Sequence, residues 1–310
     1  MNALAVQFAG LALDSPLVLA SGVLGTTAAS LRRVAEAGAG AVTTKSCSLL
    51  PRKGHPAPCI LPWKGGILNA VGLSNPGVEG ASAEIAEYKR TCATPVFVSI
   101  FAGSLAEFGQ LARRIAEAKP DLIEVNVSCP NVESEFGILF AADPEACGAV
   151  TRAVKENAGG IPVSIKLSAQ CASIARMAEV CQANGANAIT AINTVGPGMW
   201  IDTGVGRPVL SNKVGGVSGT AILPIAVRAV YEIRKAVDLP IIGTGGVSCA
   251  NDALQLIMAG ADAVGIGSGV YGGGIELFGE INRDLAAFLK ARGFESLAQV
   301  RGMAHGEERS

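Results

Sequence analysis

The sequence predicts an α/β chain folded as a (β/α)8 TIM barrel, and three observations lead there. Eight short runs rich in β-branched residues alternate with Ala-rich amphipathic segments. The runs are apolar along their length, the pattern of strands buried on both faces of a parallel sheet. No Gly-x-Gly-x-x-Gly follows the first run, so the fingerprint of an open dinucleotide-binding sheet is missing where it would be expected.

Taken in order, residues 2–15, with Gly10 at a turn, are expected to form an N-terminal hairpin that closes one end of the barrel. Strands are expected at 17–20, 41–44, 96–101, 122–127, 163–167, 188–192, 240–243 and 263–266. Parallel strands need connections of helix length. Amphipathic segments at 28–37, 79–90, 105–118, 145–157, 174–184, 223–237 and 250–258 supply them. Residues 46–78 and 193–221 are long loops after strands 2 and 6, and residues 132–140 after strand 4 read as a lid. Long loops in compact domains are usually functional. All three fall on the C-terminal face, where barrel enzymes place their chemistry. Residues 1–310 are expected to be one domain ending in a polar tail at about 302–310.

Composition narrows the function. At 310 residues and 49% hydrophobic content the chain can bury a large core. Its formal net charge is −1 with Lys and Arg scattered, which argues against nucleic acid or an anionic membrane surface as partner. No run approaches the roughly 18 apolar residues of a membrane span. The N-terminus lacks a basic segment and meets Asp14 early, so a secretory signal is not expected and a cytoplasmic location is. Eight cysteines are spread without Cys-x-x-Cys spacing, so no metal site is expected and most read as small buried hydrophobes.

The strand ends carry the chemistry, because in a barrel they point into one shared site. They are Ala20-Ser21-Gly22, Lys45-Ser46, Ser99, Asn126 to Asn131, Lys166, Asn193-Thr194, Gly243-Thr244-Gly245-Gly246 and Gly265-Ile266-Gly267-Ser268-Gly269. Lysines, asparagines and hydroxyls converge without a carboxylate pair or a histidine cluster. Such a site suits a flat, anionic, hydrogen-bonding ligand. The glycines after strands 7 and 8 either make tight turns or bare their amides to a phosphate, as barrels often do at these two loops. Lys166 and Lys45, costly at buried strand ends, either pair with a carboxylate or face a ligand. Cys129 follows a strand, sits between asparagines and precedes Pro130. It is either a core thiol or a group able to move a proton, since a free thiol of pKa about 8.5 offers some thiolate near neutrality.

Together these segments resemble the dihydroorotate dehydrogenase family. The matching stretches are Asn69-Ala70-Val71-Gly72-Leu73-Ser74-Asn75-Pro76-Gly77, Asn126-Val127-Ser128-Cys129-Pro130-Asn131, Ile165-Lys166-Leu167, Ile192-Asn193-Thr194, Gly215-Gly216-Val217-Ser218-Gly219 and Gly243-Thr244-Gly245-Gly246-Val247. The resemblance runs from about residue 4 to 290, and the first two motifs are the specific ones. It implies one FMN per chain, lying across the barrel mouth, with dihydroorotate stacked on it. Lys45, Asn69, Ala70, Val71, Gly72, Leu73, Asn126, Asn131, Asn193 and Thr194 would contact the substrate. Ser21, Lys45, Ser46, Ser99, Asn126, Lys166, Ile192, Gly219, Gly245, Gly246, Gly267 and Ser268 would hold FMN. Cys129 would take the C5 proton while hydride passes from C6 to flavin N5, in de novo pyrimidine biosynthesis.

A cysteine at that position resembles the soluble class 1 branch. Residues 192–199 and Arg207-Pro208-Val209-Leu210-Ser211 look like the NAD-linked, two-subunit type. That type implies a partner subunit carrying FAD and a 2Fe-2S iron–sulfur cluster, and a homodimer core within a heterotetramer. Three stretches depart from the family pattern: Ser134-Glu135-Phe136-Gly137-Ile138 in the lid, Ser168-Ala169-Gln170, and Cys59 where arginine is usual. A dihydropyrimidine dehydrogenase acting on uracil or thymine, or a noncatalytic flavin-binding subunit, are the alternatives. The first lacks a use for Lys45 toward a carboxylate, the second a use for Cys129.

Overall fold

The computed structural model describes residues 2–127, 140 and 142–306. Eight parallel strands close into a barrel: β1 (Leu17–Leu19), β2 (Ala41–Thr43), β3 (Val96–Ile100), β4 (Leu122–Asn126), β5 (Val163–Leu167), β6 (Ala188–Ala191), β7 (Ile241–Thr244) and β8 (Ala263–Ile266). Each pairs with the next in sequence, and β8 pairs with β1, Val264 against Leu17. The alternation within each strand sorts its residues. Ile123 and Val125 of β4 join the main core beneath the helices, whereas Leu122 joins a second cluster with Val18, Ala41, Phe97, Ile242 and Ala263. Glu124 and Asn126 therefore share the face of Leu122.

The longer helices are α1 (Ala28–Glu36), α2 (Gly77–Thr91), α3 (Leu105–Ala116), α4 (Pro144–Asn157), α5 (Ile174–Ala183), α6 (Leu223–Ala236), α7 (Ala250–Met258) and α8 (Leu277–Arg292), with a single turn at Gly269–Gly273 after β8. Thr27, Ser104, Asp143 and Ser173 cap four of them through their side-chain oxygens. The sequence reading stopped at seven. Helix α8 has no side-chain N-cap, its first flank being Glu276, yet Leu277, Ile281, Leu285 and Leu289 form a buried stripe every fourth residue.

The hairpin pairs Val6–Phe8 with Leu11–Leu13. It inserts Phe8 and Leu13, both buried, into the second cluster at the N-terminal end of the strands, with Phe8 stacked 6.1 Å from Phe97. At the opposite end the two long loops are not irregular. They contribute Ile60–Trp63 and Gly66–Asn69 from the first, and Val195–Met199 and Val214–Ser218 from the second, to one four-stranded antiparallel sheet. Close approach explains the glycines there. A Cβ on Gly216 would lie 2.2 Å from Thr194 Oγ1, so only glycine lets that strand pass the end of β6.

The C-terminal segment packs on the barrel as far as it is described: Gly302 N–H donates to Ile257 O at 3.0 Å, the His305 ring stacks 4.1 Å from Tyr231, and His305 Nε2 lies 2.9 Å from Ala259 O. One expectation needs correction. Of the described cysteines, only Cys47, Cys147 and Cys181 are buried; Cys249 is exposed and the rest are half-buried. No helix among the described residues is long and apolar enough to cross a membrane.

Candidate functional site

The barrel interior changes character along its axis. Above the apolar cluster near the hairpin lie the buried Thr43, Ser99, Glu124, Ser164, Thr190 and Thr244. Several satisfy one another: Ser164 and Thr190 hydroxyls meet at 3.0 Å, Ser46 and Ser99 at 2.8 Å. Above them the strand ends open into a cavity of about 540 Å³, roofed by the four-stranded sheet. That volume lies within the range of small-molecule sites.

Most of the expected residues meet on its wall. Ser21, Lys45, Ser46, Asn126, Lys166, Asn193 and Thr194 line it from the strand ends. Asn69, Ala70, Val71, Gly72 and Leu73 line it from the first long loop. Asn193 Nδ2 donates to Asn126 Oδ1 at 3.1 Å, and its own Oδ1 accepts from Thr194 N–H at 2.8 Å, so β4 and β6 are tied at the cavity floor. Asn69 reaches across the roof to Gly216 O at 3.3 Å.

A second cavity of about 90 Å³ adjoins the first, and Ser21, Lys166, Asn193, Thr194, Ser218 and Ser268 line both. Ile192, Gly245, Gly246 and Gly267 face only the smaller one. Gly246 has φ +84°, and a Cβ there would lie 2.7 Å from Leu223 Cβ, so the backbone runs bare beside the start of α6. Thr244 Oγ1, buried in the same wall, has no hydrogen-bond partner among the described residues. A glycine-lined pocket with an unmet hydroxyl is chemically suited to phosphate oxygens.

Two expected residues stand behind the wall. Ser99 is fully buried and supports Ser46 rather than lining either cavity. Gly219, at φ +103°, lies beside Gly66, just after Ser218. Cys129, Asn131 and most of the lid, including residues 134–138, lie outside the described residues. Phe140 is buried and meets Phe108 edge-on at 5.8 Å.

The charges follow a simple pattern. Lys166 Nζ donates to Ser21 Oγ at 2.9 Å and lies 3.7 Å from Glu124 Oε1, so this lysine is paired with a carboxylate while it stands on the wall of both cavities. The Lys45 backbone N–H donates to Gly25 O at 2.8 Å, but its ammonium has no hydrogen bond or ion pair among the described residues. Burial, and then repulsion from Lys166, lower its pKa. Among the described residues two ammonium groups thus stand against one carboxylate, which favours an anionic ligand.

Sequence reasoning assigned no role to Glu124 or His55. Glu124 had a signal, as a lone acid in a β-branched run two residues before Asn126. His55 lines the larger cavity, with Nδ1 3.0 Å from Ala70 O, and nothing in its local sequence announces that contact. Of the three departures from pattern, Ser168 and Gln170 also line this cavity.

Comparison with known proteins follows this geometry. The family model described as dihydroorotate dehydrogenase matches residues 3–289. A protein of Methanosarcina mazei named dihydroorotate dehydrogenase B (NAD(+)), catalytic subunit, is 46% identical over 297 residues, 96% of this chain and 93% of its own. One of Methanosarcina acetivorans with the same name is 45% identical, covering 96% of this chain and 94% of its own. Another so named, of Pyrococcus horikoshii, is 41% identical over 301 residues, 97% of each chain.

Proposed function

The chain belongs to the dihydroorotate dehydrogenase family, and from that premise we propose that it oxidises dihydroorotate to orotate in pyrimidine biosynthesis. It is an oxidoreductase of the NAD-linked B type, a flavoprotein whose electrons leave through a partner subunit. The cofactor is one FMN, held by a single barrel domain. The partner carries FAD and a 2Fe-2S cluster, two copies of each subunit form a heterotetramer around a homodimer of this chain, and the assembly works in the cytoplasm.

The residues present fit a flavin mononucleotide. The small cavity offers bare glycine backbone and the unmet Thr244 hydroxyl to a phosphate, while Lys166 stands where the two cavities meet. When bound, the flavin supplies a two-electron acceptor for hydride. The chain's own residues do the rest. Lys45 answers the substrate carboxylate, and Asn69, Asn126, Asn193 and Thr194 orient its ring by hydrogen bonds. Cys129 takes the proton from C5 as the C5=C6 double bond forms, a general-base task suited to a thiolate. The roof sheet excludes water.

The observation that carries this reading is the paired cavities joined at Lys166, one polar and cationic, the other lined by glycine. Anaerobic mixing of the purified, flavin-loaded protein with substrate tests it. Bleaching of the flavin by dihydroorotate but not dihydrouracil is expected; absence of bleaching with both would overturn it.

A further inference from the structure

We propose that Glu124 is a positioning residue for the flavin, acting through Lys166: its carboxylate holds the ammonium in place and offsets part of its charge, setting a lower reduction potential than Lys166 alone would. This rests on the reading of the cavities as a flavin site. The observations are independent of it. Glu124 is 3% exposed, inside the barrel, on the strand that ends in Asn126. Its Oε1 lies 3.7 Å from Lys166 Nζ and accepts no hydrogen bond among the described residues.

The neighbouring hydroxyls do not relieve it. Ser99 and Ser164 stand opposite Glu124 in the β3 and β5 registers, yet Ser99 bonds to Ser46 and Ser164 to Thr190. A buried carboxylate left this way carries a desolvation cost that its one ion pair offsets only in part. The carboxylate touches neither cavity. Lys166 lines both and spans from Glu124 to Ser21, so the acid's chain of contacts toward a ligand runs through that lysine.

The direction follows from charge. Positive charge beside a flavin favours its reduced, more anionic form. Glu124 opposes that charge, so removing the carboxylate while keeping its shape should favour reduction. Lys166 would also lose one of its two anchors.

Potentials of the flavin-loaded protein are measured for the native chain, E124Q, E124D and the pair K166Q and K166Q/E124Q, after melting curves establish that each is folded. E124Q is expected to shift the reduced-to-oxidised equilibrium at least tenfold toward reduced, about 30 mV for a two-electron couple. E124D, which draws the carboxylate back from Nζ, should shift it two- to fivefold the same way. K166Q/E124Q should match K166Q. An unchanged or lowered potential in E124Q would overturn the proposal. Should E124Q not fold, an unchanged E124D would do the same. A further rise in the double variant would also sink it, because the acid would then act without the lysine. A native protein that takes up no flavin would instead refute the reading of the site.

Discussion

Asn193 and Asn126 meet side chain to side chain, Nδ2 to Oδ1 at 3.1 Å, across the floor of the larger cavity. Asn193 follows β6 by two residues and Asn126 ends β4, strands separated by β5, and the bond fixes which face of each amide a ligand sees. Asn193 Oδ1 is already taken by Thr194 N–H. The pair is thus oriented before any ligand arrives.

Truncating Asn193 to Ala removes one donor and the side-chain bond that Asn126 Oδ1 accepts from it. Orotate affinity is expected to fall roughly ten- to a hundredfold, the range for hydrogen bonds to a charged or polarised ligand. Flavin content should stay near normal. Titration of flavin absorbance with orotate measures both.

Lys45 predicts a pH dependence. Burial first, and Lys166 second, place its pKa below the ordinary lysine value of about 10.4. Orotate affinity should therefore be full below the lowered pKa and decline as pH rises through it, earlier than an exposed lysine would allow. Stability runs the other way, because between the two values the unfolded chain binds the proton more and stability rises with pH. Lys45→Met should flatten the binding profile. A decline that persists in that variant would assign it to another group.

Cys129→Ala should still bind flavin and orotate but lose flavin reduction by about two to four orders of magnitude, the usual worth of a general base. Anaerobic stopped-flow with dihydroorotate reads the rate directly. A normal rate would remove Cys129 from the mechanism.

Gly246→Ala asks a non-glycine residue to hold φ +84° with its Cβ 2.7 Å from Leu223 Cβ. About 1–3 kcal/mol of strain is expected. Because the same loop lines the small cavity, flavin retention through gel filtration should fall with stability. A variant that keeps its flavin fully would show that this loop does not hold the phosphate.

Phe8→Ala tests the closed end of the barrel. The ring is wholly buried against Phe97, so its loss should cost about 3–5 kcal/mol in denaturant unfolding. Turnover should be unchanged, since the hairpin and the cavity lie at opposite ends.

The strand ends were legible because each lies at the C-terminal limit of an apolar run, and period-two alternation turns Asn126 and Lys166 to the inner face. Helix α8 escaped because Glu276 gives no capping signal, although its stripe from Leu277 to Leu289 was present in the letters. His55 was not legible at all. It reaches the cavity only because its own strap lies on the Ala70–Leu73 loop, with His55 N–H bonded to Val71 O.

Local chemistry in the chain was enough to determine the eight-fold alternation, the glycine loops after β7 and β8, and the family to which the motifs point. Those features depend on neighbours a few residues apart. The roof sheet, the Glu124–Lys166 pair and the seating of Ser99 behind Ser46 depend on partners between 42 and more than 100 positions away. Barrel closure brings such residues together, and no local pattern of polarity records which of them will meet.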